Sequence, residues 1–240
     1  MITPLEVLPL GFEEDIAFIR IASLYKTYYN VIPNVRFFEQ KNGQRVTAVI
    51  SKSDGVINLC ASTAADFEEL RAFVFSLSGR LFCSDETLRL LDTGLNYWCG
   101  DIMRLESKID TQQDVTYTPD IKTLYFGMKQ EFELPAFEDF YTDIFYRRRA
   151  DNLHLCAVQE DAFVISSAMT VAESDDAAII GGVFTRDEHR RKGYAKRTVK
   201  GLCSVLDKKN IYLLIRDPSL CGFYEGIGFR KTGIWTETEI

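Results

Sequence analysis

Residues 183–195 read Val183-Phe-Thr-Arg-Asp-Glu-His-Arg-Arg-Lys-Gly-Tyr-Ala195. An apolar run ends near Thr185, a short polar loop follows, and a helical pattern begins near Gly193. The first N–H groups of a helix have no partner within it, and they point along the positive end of its dipole. That is an anion site in waiting. Gly193 adds room, because no Cβ keeps a ligand away from the main chain. Charge acts in the same direction. Residues 186–200 hold seven Lys/Arg against two acidic residues, a local +5 in a chain of net charge -7. Taken alone, Arg-x-x-Gly-x-Ala also suits a solvated basic helix start, so the surrounding elements must discriminate.

Upstream, 177–185 is a mostly apolar strand, as expected of a central one. Before it, 153–158 and 162–171 read as strands joined by Gln159-Glu160-Asp161. Downstream, 193–206 is a helix with Ala195, Val199, Leu202 and Leu206 on its inner face. A fully apolar strand, 211–215, comes next. A helix over 136–149 is expected to bury Phe137, Phe140, Tyr141, Ile144 and Phe145, with Arg147, Arg148 and Arg149 opposing its dipole. In the first half, 15–29 is helical. Strands 45–50 and 56–60 flank Asp54-Gly55, a hairpin turn signal. A helix over 64–77 opens on Thr63 and Asp66, spaced as a capping box, and 81–83 is a short strand. Polar residues 106–119 form the expected linker, giving domains 1–115 and 120–240. Both halves share a hairpin–helix–strand order, a hint of duplication with no residue-level repeat.

The chain has 240 residues, 46% of them hydrophobic, enough to bury a core without metal or disulfide staples. Residues 1–120 carry 11 Lys/Arg and 17 Asp/Glu, and residues 121–240 carry 17 and 18. An acidic front half speaks for solubility and against nucleic-acid binding. Cys60, Cys83, Cys99, Cys156, Cys203 and Cys221 form no C-x-x-C pair, and with two histidines, His154 and His189, no zinc spacing arises. Buried reduced thiols are expected. The first residues lack a basic n-region, and no apolar run is long enough to span a bilayer, so a cytoplasmic protein without membrane contact is expected. The P-loop and G-x-G-x-x-G patterns are both missing, which excludes the commonest nucleotide and dinucleotide sites.

Arg190-Arg191-Lys192-Gly193-Tyr194-Ala195 resembles the Q/R-x-x-G-x-G/A signature of the GNAT (GCN5-related) N-acetyltransferases. The segment from Asp217 through Tyr224 to Gly228-Phe229 is similar to that family's N-x-x-A-x-x-x-Y-x-x-x-G-F motif, in the matching place after a helix and a strand. The resemblance covers about residues 120–235. Asp217 stands where the family usually has Asn, Asp187 replaces a proline, and Leu220 or Cys221 replaces a small residue.

The resemblance implies an α/β (α+β) fold class. Its mixed, mostly antiparallel central sheet is flanked by helices, in tandem with a degenerate N-terminal GNAT-like copy. It also implies an N-acetyltransferase that takes acetyl-CoA as acyl donor and a primary amine as acceptor, by direct attack and without a metal. Val183, Phe184 and Thr185 would lie along the pantetheine arm, with the Val183 N–H on the thioester carbonyl. Arg190, Arg191, Lys192, Gly193, Tyr194 and Ala195 would hold the pyrophosphate, and Asp217 the cofactor arm. Tyr224 would be the general acid. A tyrosine is protonated at neutral pH and can donate to a leaving thiolate. For the general base, Glu173, Glu133, Glu138 and a water chain stay open. His189 and Cys221 receive no catalytic role. The competing reading is a non-catalytic acyl-CoA-binding regulatory module. The acceptor and the oligomeric state, a homodimer included, stay open.

Overall fold

The computed structural model describes residues 1–161 and 163–240. Ala162, the expected first residue of one strand, lies outside them. The chain divides into two compact units. One comprises residues 1–103, 214–220 and 231–240, the other 104–213 and 221–230.

In the first unit, β1 (Ile2–Pro4), β2 (Arg36–Asn42), β3 (Arg45–Ser53), β4 (Val56–Ala61) and β5 (Arg80–Ser84) are consecutive sheet neighbours. Pairing is antiparallel up to β4, whereas β4 and β5 run parallel. The β3–β4 hairpin turns at Asp54 and Gly55, both at positive φ (45° and 78°), the conformation a two-residue hairpin loop requires. Helix α1 (Ile16–Tyr28) packs on β3, β4 and β5. The Asp15 carboxylate caps it by accepting from the Ala17 and Phe18 N–H groups. Helices α2 (Phe67–Leu77) and α3 (Asp85–Leu91) bury Leu70, Val74, Leu88 and Leu91 against Ile50, Leu59 and Leu81. Helix α2 starts three residues later than expected. Asp66, not Thr63, is its cap, accepting from the Glu69 N–H at 3.0 Å.

In the second unit, α4 (Ile121–Met128) and α5 (Phe137–Arg149) precede three antiparallel strands, β7 (Leu155–Glu160), β8 (Phe163–Glu173) and β9 (Ala177–Thr185). Helix α6 (Tyr194–Val205) leads into β10 (Asn210–Ile215), whose residues 210–213 pair in parallel with 177–180 of β9. Leu124, Tyr125, Met128, Phe140 and Ile144 form a core with Leu155, Ala157, Val164, Met169 and Phe184. Helix α6 covers the opposite face. A Cβ at its Gly201 would meet the Cys156 sulfur at 2.7 Å, and side chains alternate across a strand.

The two units repeat one plan: three antiparallel strands, a helix, and a strand parallel to the third. The duplication hinted at by element order is therefore present in the pairing. The first unit runs to residue 103 before the chain enters the expected linker. Residues 106–119 contain no helix or strand, and Thr116 bridges Ala157 at the edge of β7. The end of the chain crosses the expected division. In β11 (Phe229–Glu239), residues 235–239 pair antiparallel with Ser84–Arg80 of β5, so 231–240 belong with the first unit. Sheet edges recruit partners by hydrogen bonding, irrespective of distance along the chain. β2, α3, β6 (Trp98–Leu105) and α4 were not anticipated from the sequence.

The expected inner face of α5 is also corrected. Phe140 and Ile144 are buried, but Tyr141 and Phe145 are half exposed. Arg147 is buried instead, donating to the main-chain carbonyls of Asn152 and Thr170 at 3.2 and 2.7 Å. It holds the end of the helix to the sheet. In α6, Ala195 is partly exposed, while Thr198, Val199 and Leu202 form the inner face.

Candidate active site

The site is built from the last third of β9. Between Met169↔Gly181 and Ser167↔Phe184 the β8–β9 register shifts, so Gly182 and Val183 stand opposite a single residue of β8. This is a β-bulge. Gly182 adopts φ +55°, and a Cβ there would lie 2.8 Å from Met169 Cγ and 3.1 Å from Met128 Cε. Glycine is required by both conformation and space. The β9–β10 register ends at Ile180/Leu213, while the β8–β9 ladder runs on to Thr185. Residues 181–185 thus lie beyond that parallel register, and Val183 has no register partner on β8.

Phe184 has its side chain in the core, where a Cβ on Gly127 would meet its ring at 2.6 Å. Only its main chain can meet a ligand. The Phe184 carbonyl accepts from the Ser166 hydroxyl at 2.8 Å, and the Gly182 carbonyl accepts from the Ser167 hydroxyl at 3.0 Å. The two serines hold the bulged strand in place.

After Thr185 the chain makes a short 3-10 turn over Asp187–His189 and enters α6. Arg191 and Gly193 both have positive φ, 61° and 86°. Gly193 is the N-cap, and no side chain caps this helix. A Cβ at Gly193 would meet no atom within 4 Å, so the space before the helix is open. The corresponding helix of the first unit, α2, differs. Asp66 accepts from its Glu69 N–H, and Glu68 and Glu69 make its first turn acidic. Helix α6 begins with Lys196 and Arg197 close by and no acidic residue. Of these two helix starts, that of α6 is the one open to an anion.

The loop cations divide into two groups. Arg190 donates from Nε to the Thr185 carbonyl at 3.1 Å, and its Nη2 pairs with Glu131 and, at 3.0 Å, with Asp187. Lys192 donates to the Glu188 carbonyl at 3.0 Å. These two side chains brace the loop. Arg191 is exposed and, among the described residues, has no ion-pair partner. Tyr194 donates to Glu160 at 3.2 Å, and the Arg197 guanidinium lies 5.5 Å from its ring centroid.

Tyr224 sits on α7 (Cys221–Glu225), in the same unit as the loop. Its ring meets Phe223 and Phe229 edge-on, with centroids 4.9 and 6.2 Å away. Burial pushes its hydroxyl up from the ordinary tyrosine value, so it is protonated at neutral pH. Its carbonyl accepts from the N–H groups of Ile227 and Gly228, and Gly228 (φ +119°) turns the chain into Phe229. That turn explains the Tyr-x-x-x-Gly-Phe spacing.

Asp217 belongs to the first unit. Its carboxylate accepts from the Ser219 N–H at 2.9 Å and hydroxyl at 2.7 Å, and these bonds hold it below the ordinary aspartate range. It organises its own turn.

Glu173 is enclosed, 1% exposed. It accepts from Thr170 Oγ1 at 2.6 Å, pairs with His154 Nδ1 at 2.9 Å, and lies 3.7 Å from Lys208 Nζ. Burial alone would raise its pKa, but the His154 and Thr170 hydrogen bonds and the two cationic neighbours together hold it low. Lys208 follows the C-terminus of α6, roughly 18 Å along that 12-residue helix from the N-terminal loop. Glu173 pairs in register with Ala178, five residues and about 16 Å along β9 from Val183, and its contacts with Thr170, His154 and Lys208 anchor it there. Glu133 and Glu138 are exposed, and Glu138 lies in the first turn of α5. Glu131, Ser166 and Ser167 were not singled out in the sequence. Glu131 is 59 residues from Arg190, and no local pattern marks such a pairing.

Two units of one plan, the second with a bulged strand feeding an open, cation-rich helix start, give the GNAT fold in tandem, with a degenerate first copy. Within it, residues 163–239, from β8 through β11, match the family model described as FR47-like protein, a GNAT-related domain. Solved structures agree over nearly the whole length. A GCN5-related N-acetyltransferase from Kribbella flavida aligns at 12% identity with a TM-score of 0.62, covering 97% of this chain and 96% of its own. An acetyltransferase of the GNAT family from Colwellia psychrerythraea aligns at 11% and 0.58, covering 100% and 99%. A tandem GNAT protein from the clavulanic acid biosynthesis pathway aligns at 12% and 0.56, covering 92% and 87%. At these identities the likeness is one of fold. No curated protein matches the sequence. No described helix is long and apolar enough to cross a membrane.

Proposed function

We propose that the second half of this chain transfers an acetyl group from acetyl-CoA to a primary amine. The observation that carries this reading is the uncapped N-terminus of α6, with Arg191 free beside it and nothing within 4 Å of a Cβ at Gly193. A pyrophosphate there would take the N–H groups from Arg191 to Ala195, and Arg191 would add charge. The pantetheine arm would run along 183–185, main chain to main chain, in the manner of an added strand. The Val183 N–H would stabilise the oxyanion that develops on the thioester carbonyl. The amine attacks directly, with no acyl-enzyme, and Tyr224 protonates the departing thiolate. Arg190 and Lys192, braced on main-chain carbonyls, keep the loop in shape for the ligand. The proton of the attacking ammonium leaves to water in this reading, because Glu173 is enclosed and pairs with Ala178, five residues along β9 from Val183. The proposed setting is the cytoplasm, in keeping with six free cysteines.

The non-catalytic reading predicts acetyl-CoA binding without turnover on any amine. Tyr224 in the place the motif gives the general acid favours the enzyme. Calorimetric titration with acetyl-CoA tests the site first. Micromolar binding that disappears in an Arg191→Glu/Gly193→Trp double variant supports it. No binding by the unaltered protein overturns it. Turnover across a panel of amines then separates enzyme from module.

A further inference from the structure

Helix α5 has a second apolar face that the fold leaves uncovered. Phe140 and Ile144 point into the core, yet Tyr141 is 50% and Phe145 is 53% exposed. At 3.6 residues per turn, Glu138, Tyr141, Phe145 and Arg149 fall on one stripe of the helix. That stripe is acidic at its start, aromatic in the middle and basic at its end. Among the described residues neither the Glu138 carboxylate nor the Arg149 guanidinium has an ion-pair partner, whereas Asp143 and Arg147, off the stripe, face each other at 3.9 Å.

We propose that this stripe is where a second copy of the chain docks, with the two α5 helices antiparallel about a two-fold axis. A two-fold contact requires a surface complementary to itself. Reversing the stripe end for end brings Glu138 of one copy level with Arg149 of the other, at both ends of a contact roughly 16 Å long. The same operation sets each Tyr141 against the partner copy's Phe145 in the middle. The helix dipoles then run in opposite senses, each acidic N-terminal turn meeting a basic C-terminal one. An anionic membrane surface suits the stripe less well, because Glu138 and Asp139 would be driven against it.

The test is sedimentation analysis of the full chain, with circular dichroism to verify folding. The unaltered protein is expected to dimerise reversibly. Glu138→Arg alone and Arg149→Glu alone each set like charges together twice, and each is expected to weaken the dimer about tenfold or more. The double variant Glu138→Arg/Arg149→Glu restores opposite charges and recovers the dimer. So does an equimolar mixture of the two single variants, as a heterodimer. Tyr141→Ser/Phe145→Ser is expected to be monomeric and folded. A chain that is monomeric throughout overturns the proposal, and so does a double variant weaker than either single one. Binding of the monomer to vesicles containing phosphatidylserine, lost in Tyr141→Ser/Phe145→Ser, would assign the stripe to a membrane instead.

Discussion

The Arg190 guanidinium donates to the carbonyl of Thr185, five residues upstream, and so ties the end of β9 to the start of the α6 loop. The first residue of the basic signature is thereby a brace. Arg190→Ala is expected to raise the Kd for acetyl-CoA about tenfold, or about 1.4 kcal/mol, through loss of loop order. The pair it makes with Glu131 is partly exposed and contributes little stability by itself, so the melting temperature should move little. Titration calorimetry beside a thermal melt separates the two effects.

Tyr224→Phe should lower kcat by about a hundredfold, the lower range for general acid catalysis, with little change in KM for acetyl-CoA. The ring contacts with Phe223 and Phe229 survive the change, so the fold should be unaltered. An unchanged kcat would remove Tyr224 from the chemistry.

Two glycines at positive φ should respond differently to alanine. Each pays a backbone cost of about 1–2 kcal/mol. At Gly182 the new methyl also meets Met169 Cγ at 2.8 Å, so Gly182→Ala should be the more destabilising. At Gly193 the methyl enters open space, so Gly193→Ala should weaken acetyl-CoA binding more than it lowers stability. Urea midpoints and calorimetry, run on both variants, compare these effects.

Glu173→Gln should cost on the order of 3 kcal/mol of stability, as expected when one partner of a buried charge pair is removed. Acetyl transfer per folded molecule should be nearly unchanged, since Glu173 lies opposite Ala178, five residues along β9 from Val183. A kcat loss beyond tenfold at unaltered stability would return Glu173 to the chemistry.

The same cluster predicts a pH dependence. Hydrogen bonding to Glu173 raises the His154 pKa above its ordinary value near 6.5. The folded state therefore holds that proton more tightly than the unfolded state does. The stability it supplies is complete below about pH 6.5 and lost as pH rises through the raised value. Glu173, held low, supplies stability above the ordinary glutamate range and loses it as pH falls through its own lowered value. Urea midpoints should thus fall as pH rises above about 6.5 in the unaltered protein, and stay flatter across that range in His154→Asn.

Local patterns carried much of this molecule. The span of β9 coincides with the expected 177–185, α6 begins one residue after the expected Gly193, and α1 and α5 fall within a residue or two of expectation. Helix starts, tight turns and apolar periodicity depend on neighbours within a few residues, so the open helix start was legible from local pattern, while the Tyr224 turn was reached through the family resemblance. Where partners lie far apart in sequence, only the tertiary structure was decisive. It sends β11 to β5, encloses Glu173 with His154 and Lys208, and commits Arg190 to Glu131. It also buries Arg147 while leaving Tyr141 and Phe145 in solvent. A helical periodicity marks which residues share a face, but it does not say how wide a face the rest of the chain will cover. Burial and ion pairing are properties of what packs alongside, and that is set by contacts across tens of residues.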